Sequence, residues 1–409
     1  MQDPSGSGGV IIDPVTPTAH EFFREVKLVS RFKIRLVTDY VRPFFYKLGS
    51  WNYTVWVVDA FAGAGAYDPD ETGQREDGSP RALAKLARHL KIERDQPRRR
   101  RRRSRLRTIN VEADAELFVE LERNLAPYRD IATNLFGPFE EHLPTVLGML
   151  GAAPALFYLD PFGVRGIEME VIARILARKG RTELLIHFSD RSFRRMAGHV
   201  IERERSQVGR RAAVSKIEEL DRVMGTRKWR AIWQDESLST DERMDRIVEL
   251  YRDQLRKRGI GLVHDIRMRD ELDDSPRYRL VFATRSDHGT ELMSDLACRY
   301  HRELEESAHD GSFALEWDRI EREEARVALR EELKAYGASH SPISQDELVR
   351  AFAPRAFGRF RKSDYAKCLR ELVAAGAIKR ESAKGIRHDE PLTFEPDYQP
   401  PLLDTRLTG

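Results

Sequence analysis

The sequence predicts an α/β protein whose doubly wound, mostly parallel sheet is followed by a smaller module of helices and a hairpin. Three observations predict it. Apolar, β-branched runs alternate with amphipathic helical stretches; an acid closes several of those runs; and the C-terminal stretch changes character. The chain has 409 residues, 41% hydrophobic and 33% charged, which allows two or three domains with real cores.

The Ser/Gly-rich stretch Met1–Gly9 opens a flexible tail, residues 1–19. From His20 to Leu48 apolar residues, among them Phe22, Leu36, Tyr40 and Phe44, recur at three- and four-residue intervals. That spacing predicts a helix, which Pro43 kinks or ends. Tyr53–Val58 reads as a strand buried on both faces that feeds a glycine turn. Ser79 is the expected N-cap, and Pro80 the first position, of a helix reaching Leu90. Strands follow at Leu106–Val111, Ile131–Phe136, Ala155–Leu159 and Glu183–Phe188, with helices at Ala115–Leu125 and Ile167–Leu176. The interval suits right-handed crossovers.

A polar, Arg-rich helical insertion occupies about 191–260. Leu262–Arg267 and Tyr278–Thr284 then read as an antiparallel pair closing one edge, so the α/β domain covers 20–310. A charged helix, 311–335, leads to a module over 336–409. There Ser344–Phe352 and Ser363–Ala375 read as helices, and Ile378–Arg380 with Leu392–Phe394 as a hairpin around Lys384-Gly385. Helix, helix, helix, wing is the order of a winged helix-turn-helix.

Seventy Lys+Arg against 67 Asp+Glu leave a net charge of +3, so partners are argued from local clusters rather than bulk charge. The two cysteines, Cys298 and Cys368, form no metal or disulfide pattern and fit the cytoplasm. No apolar run approaches the roughly 18 residues a membrane span needs.

The chemistry concentrates at strand ends. Asp59-Ala60-Phe61-Ala62-Gly63-Ala64-Gly65 is an acid followed by a small-residue turn that a ligand can approach closely. It lacks the third glycine of a dinucleotide fingerprint and the Gly-Lys-Ser/Thr of a phosphate loop. S-adenosylmethionine (SAM) needs neither: it needs backbone approach and an acid for its ribose hydroxyls. Glu112, closing the second strand, offers two acceptor oxygens for those hydroxyls. Asp160-Pro161-Phe162-Gly163 closes the fourth long strand, placing a carboxylate at the reacting end and an aromatic beside it. Amino-methylating enzymes carry acid-Pro-Pro-aromatic there, and Phe162 in place of the second proline departs from it. These features predict a class I methyltransferase-type sheet, with Asp160 and Phe162 as catalytic candidates.

The blocks Lys33–Tyr40, Asp59–Tyr67, Gly78–Leu83, Phe157–Gly163, Leu184–Phe188 and Tyr278–Thr284, with Gly289 and Met293, resemble the three-Cys-motif partner family. The resemblance spans about residues 20–300, and the C-terminal part looks like a winged-helix domain of some relatives. It implies a SAM-methyltransferase-like fold with SAM near Asp59, Phe61, Ala62, Gly63, Gly65 and Glu112. It also implies that Ser79 and Lys33 line the same cleft. Tyr67 and His187 join Lys33 as candidates on the acceptor side. Relatives often carry Gly-Asp after the third strand; here Gly137-Pro138-Phe139 leaves adenine to backbone groups or Phe139. The family's namesake partner is a separate cysteine-motif protein.

Arg98–Arg103 are consecutive arginines, ordinarily a solvated loop and otherwise a phosphate attractor. Arg361, Lys362 and Lys384 belong to a basic set on the expected recognition helix and wing. The sequence therefore predicts a SAM-dependent methyltransferase acting on nucleic acid. Its rivals are methylation of a small metabolite and a non-catalytic SAM-sensing or DNA-binding partner protein.

Overall fold

The structure is a computed structural model that describes residues 28–49, 54–69, 72–96, 104–204, 210–268, 278–308, 312–380 and 386–395. The expected tail, the helix start at His20, the arginine run and Lys384 lie outside the described residues.

The central sheet comprises β1 (Thr54–Asp59), β4 (Arg105–Glu112), β5 (Ala132–Phe136), β6 (Ala155–Leu159), β7 (Thr182–Phe188), β8 (Leu262–Met268) and β9 (Tyr278–Thr284). Two short strands, β2 (Ala66–Pro69) and β3 (Arg75–Asp77), form a separate hairpin. The seven-stranded order is β5-β4-β1-β6-β7-β9-β8. All pairings are parallel except those of β9, which runs antiparallel to both β7 and β8. That is the antiparallel edge pair read from the sequence.

Side-chain alternation splits the core into two layers. Trp56 and Val58 of β1 face one layer with Phe157, Leu159, Leu184 and Ile186; Val55 and Val57 face the other with Leu156, Tyr158 and Leu185. The first layer is covered by α4 (Phe139–Leu150), α5 (Met169–Leu176) and the helical insertion: α6 (Asp190–Glu204), α7 (Arg210–Met224), α8 (Trp229–Gln234) and α9 (Thr240–Arg256). The second is covered by α1 (Leu28–Gly49), α2 (Ser79–Asp95) and α10 (Asp287–Ala308). Helices on both faces make the sheet doubly wound, and each fully buried Val, Leu or Phe contributes about 1.5–3 kcal/mol. Between β4 and β5, α3 (Ala115–Leu125) starts behind Asp114, whose carboxylate accepts from the Glu116 and Leu117 amides.

Several local readings change. Pro43 sits inside α1 without ending it. Ser79 is the first residue of α2, not its cap; Gly78 holds the cap position and no side chain caps there. The hydroxyl expected to satisfy a helix amide is turned to Asp59 instead. Trp229 and Trp233, spaced one turn apart, are core residues.

The C-terminal elements are α11 (Ser312–Ser339), β10 (Ile343–Ser344), α12 (Gln345–Phe352), α13 (Lys362–Ala374), β11 (Ile378–Arg380) and β12 (Pro391–Phe394). Ser344 and Glu347 form a reciprocal capping box at α12. The strands pair in the order β10-β12-β11, antiparallel throughout, and the module has its own core around Leu348, Phe352, Leu369 and Phe394. Among the described residues no helix is long and apolar enough to cross a membrane.

Candidate active-site cleft

In this sheet β1 is flanked by β4 on one side and β6 on the other, so the strand order reverses there. Ligands of open α/β sheets bind at such a switch point, outside the carboxyl ends of the strands. Asp59, Glu112 and Asp160 close β1, β4 and β6 at that edge.

The glycine turn leaves β1 through left-handed backbone at Gly63 (φ 59) and Gly65 (φ 78), a region side chains rarely adopt. The Gly63 amide donates to Glu112 Oε2 at 2.7 Å, and the Asp114 amide to Glu112 Oε1 at 2.7 Å. Glu112 therefore ties the turn to the end of β4. With these amides bound, the carboxylate keeps further acceptor capacity. Ala62 is pinned to the same strand by its amide, 2.9 Å from the Val111 carbonyl. The β2–β3 hairpin closes over the turn: the Gly78 amide donates to the Gly65 carbonyl at 3.0 Å. A Cβ at Gly78 would lie 2.9 Å from the Gly65 carbonyl carbon, and one at Gly65 would lie 3.0 Å from Leu121 Cδ1.

Asp59 is fully buried, and Oδ2 accepts from the Ser79 hydroxyl at 2.7 Å while Oδ1 accepts weakly from the Phe61 amide at 3.4 Å. Burial pushes its carboxyl up to about 7, opposed by the Ser79 and Phe61 hydrogen bonds and by Lys33. Glu112 is also raised, by burial, against the pull of its amide donors.

Asp160 has the opposite fate. Its Oδ2 takes the Lys33 ammonium as an ion pair and the Tyr158 hydroxyl at 2.7 Å. Burial would raise it, but the Lys33 charge, His187 and the Lys33 and Tyr158 hydrogen bonds together outweigh that and hold the carboxylate below its ordinary range. Lys33 is raised: burial opposes its charge, but Asp160, Tyr67 and Asp59 together exceed that cost. His187 Nδ1, enclosed and without a hydrogen bond, stands 3.4 Å from Asp160 Oδ1. Burial drives this imidazole down to about 4, so it is neutral at pH 7. The Tyr278 ring lies 4.3 Å from the His187 ring and 5.8 Å from the Lys33 ammonium, centroid distances that wall the acceptor side.

Lys33, Asp59, Tyr67, Ser79, Asp160 and His187 thus converge, with Gly63, Gly65 and Glu112 adjoining them. Phe162 is 56% exposed at the rim. Phe61 is half-buried and packs against Gly166 and, at 6.3 Å, against Phe139. Phe139 itself is buried in the core at the first turn of α4. Two site residues escaped the sequence reading. Tyr158 looked like strand filling, and Tyr278 reaches the cleft only because β9 runs antiparallel, bringing its first residue beside the end of β7.

The basic set of the C-terminal module is placed elsewhere. The Lys362 ammonium pairs with Glu291 of α10 at 2.7 Å and with Asp346 at 3.4 Å, and its amide donates to Asp295 at 2.7 Å. Arg302 of α10 pairs with Asp364 at 2.6 Å, and the Gly358 amide donates to Ser294 at 3.0 Å. Arg361, half-buried, holds the N-cap position of α13 and its amide donates to Asp364 at 2.8 Å. The first turn of α13 therefore faces α10.

No protein-family model matches this sequence, and no curated protein does. Among solved structures, protein LPL1258 from Legionella pneumophila is similar at 10% identity and TM-score 0.37, covering 63% of this chain and 85% of that one. Cofactor-bound Rv0187 from MTB is similar at 12% identity and TM-score 0.31, covering 66% and 87%. A geranyl diphosphate methyltransferase in complex with GPP and sinefungin is similar at 12% identity and TM-score 0.24, covering 57% and 72%. By strand order, helices on both faces and the antiparallel β9, the α/β domain has the Rossmann-like methyltransferase-type fold.

Proposed function

We propose that this chain is a SAM-dependent methyltransferase of the three-Cys-motif partner type. The observation that carries the reading is the convergence of the Gly63–Gly65 turn, Glu112 and Asp160 on one switch-point cleft. The donor set fits SAM. The turn side offers backbone and two carboxylates, Asp59 and Glu112, suited to a sulfonium, an ammonium and vicinal hydroxyls. A dinucleotide would instead want phosphate donors there. SAM, when bound, supplies an electrophilic methyl group.

Asp160 is kept ionised by Lys33, with Oδ1 free of the Lys33 and Tyr158 bonds that load Oδ2. That oxygen can orient an N–H or O–H of the acceptor. Phe162 offers an exposed ring on which a planar acceptor stacks. Neutral His187 and the Tyr278 ring exclude water from the same side, so most of the rate gain comes from alignment in a dry site.

The acceptor in this reading is a nucleic-acid base, with the C-terminal module acting as a winged helix. Docking of α13 on α10 means the module would hold backbone rather than lay that helix's first turn in a groove. The same docking favours a second reading, methylation of a small molecule. Incubation with methyl-radiolabelled SAM and DNA, RNA or metabolite fractions separates them: label that survives nuclease treatment belongs to a metabolite. Saturable SAM binding with no label in any fraction, alone or with a cysteine-motif partner protein added, would replace both with the non-catalytic partner.

A further inference from the structure

A second cavity, of about 1030 Å³, opens at the other end of the sheet, between α1, the start of β7, the turn after β9 and the C-terminal module. Glu183 on its floor pairs in register with Leu156, four residues before Asp160, which sets the two sites roughly 13 Å apart along the strands. The volume is that of a small-ligand site.

Three arginines of its walls have no ion pair among the described residues. Arg178 is half-buried, and its partners are the Arg181, Gly151 and Ala153 carbonyls and the Thr182 hydroxyl. Burial alone lowers its pKa, with no acid opposing. Arg285 donates to the Gly259 and Leu176 carbonyls. Arg350, arriving from α12, meets only His288 Nε2 at 3.5 Å; the nearby Glu347 is spent on the Ser344 cap. Lys47, Lys179 and Arg181 add to the lining.

Acids are present but committed. Glu183 accepts from the Tyr40 hydroxyl at 2.5 Å and the Thr284 hydroxyl at 2.8 Å, and Glu291 and Asp295 bind Lys362. Asp287 remains, in the first turn of α10. Arg178, Lys179, Arg285 and Arg350 therefore face four lining carboxylates, three of them already engaged. Guanidiniums gathered at one partly desolvated mouth without counter-charge repel one another, and an anion relieves that repulsion.

We propose that this cavity is a second ligand site, for a small molecule bearing a phosphate or diphosphate group. Arg285 and Lys179 grip it from the α/β domain and Arg350 from the C-terminal module, with Arg178 adding its charge beneath them. A ligand there staples the module to the domain. The site stands independently of the SAM reading.

The test is calorimetric titration of the full chain with inorganic pyrophosphate, with sodium chloride at matched ionic strength as reference. The expected result is saturable 1:1 binding, weakened about tenfold or more in Lys179→Glu and in Arg350→Glu. Binding should be unchanged in Glu112→Gln and in the presence of SAM. Heat no greater than that of the matched salt, or equal affinity in both charge-reversal variants, overturns the proposal. So does loss in Glu112→Gln or competition by SAM, which would assign the anion to the switch-point cleft. Lys179 is exposed on the α/β side, so its variant tests the site without disturbing the docked module.

Discussion

At the scale of single residues, two acids on neighbouring strands are tuned apart. Asp59, buried with a hydroxyl and an amide for partners, sits at about 7; Asp160, buried against an ammonium, stays ionised. Because an ionised Asp59 attracts a cationic cofactor, SAM affinity should rise as pH climbs through about 7, by about tenfold. Calorimetry from acid to alkaline pH checks this, and a slope that persists in Asp59→Asn would remove Asp59 from the site. Stability moves the other way. The folded-state value of Asp59, and that of Glu183 at about 7, lies above the unfolded value. The protonated forms are favoured by folding, so their contribution is full below the unfolded value and is lost as pH rises towards 7. Glu183→Gln should flatten that slope in urea titrations. Asp160→Ala should abolish methyl transfer while SAM affinity stays within a few-fold, and unchanged turnover would refute its role. The same change leaves Lys33 buried without its partner, at a cost of about 3–5 kcal/mol seen as a lowered urea midpoint.

At the scale of elements, the β2–β3 hairpin and the glycine turn work as one piece. Gly78 packs on the Gly65 backbone, and Asn124 of α3 donates to the Ala64 carbonyl at 2.8 Å, so the turn is held from three sides. Gly78→Ala should displace the turn, cost about 1–3 kcal/mol and weaken SAM binding more than it lowers stability. Retained SAM affinity would show the turn is not the binding element. The hairpin was not legible in the sequence because its strands span four and three residues and carry mainly polar side chains. The long strands were legible to within a residue or so, since runs such as Ala155–Leu159 are apolar on both faces and end in an acid.

At the scale of the whole molecule, the charges in the first turn of α13 face α10. Lys362, read from the sequence as part of a nucleic-acid surface, pairs with Glu291, and Asp364 with Arg302. His264 of β8 stacks on Phe357 at 4.3 Å and adds an apolar seam to that contact. These part-buried ion pairs keep contact with solvent, so Lys362→Ala with Arg302→Ala should cost only about 1–2 kcal/mol. It should nevertheless enlarge the radius of gyration in small-angle scattering by freeing the module. An unchanged profile would mean that the Phe357 seam, not the charges, holds it.

The sequence by itself determined the layered α/β architecture, the acids at the ends of β1, β4 and β6, and the glycines at the turn. Those follow from local periodicity and from backbone conformations that few residues accept. Tertiary structure alone decided which charges meet. Lys33 and Asp160 are far apart in the chain, Tyr278 arrives on an antiparallel strand, and Ser79 turns from its own helix to Asp59. Side-chain reach carries no signature along a sequence, because a lysine reads alike whether it faces water or a buried carboxylate. Only the packing of α1 over the sheet, and of α13 against α10, made one lysine part of a cleft and another part of a seam.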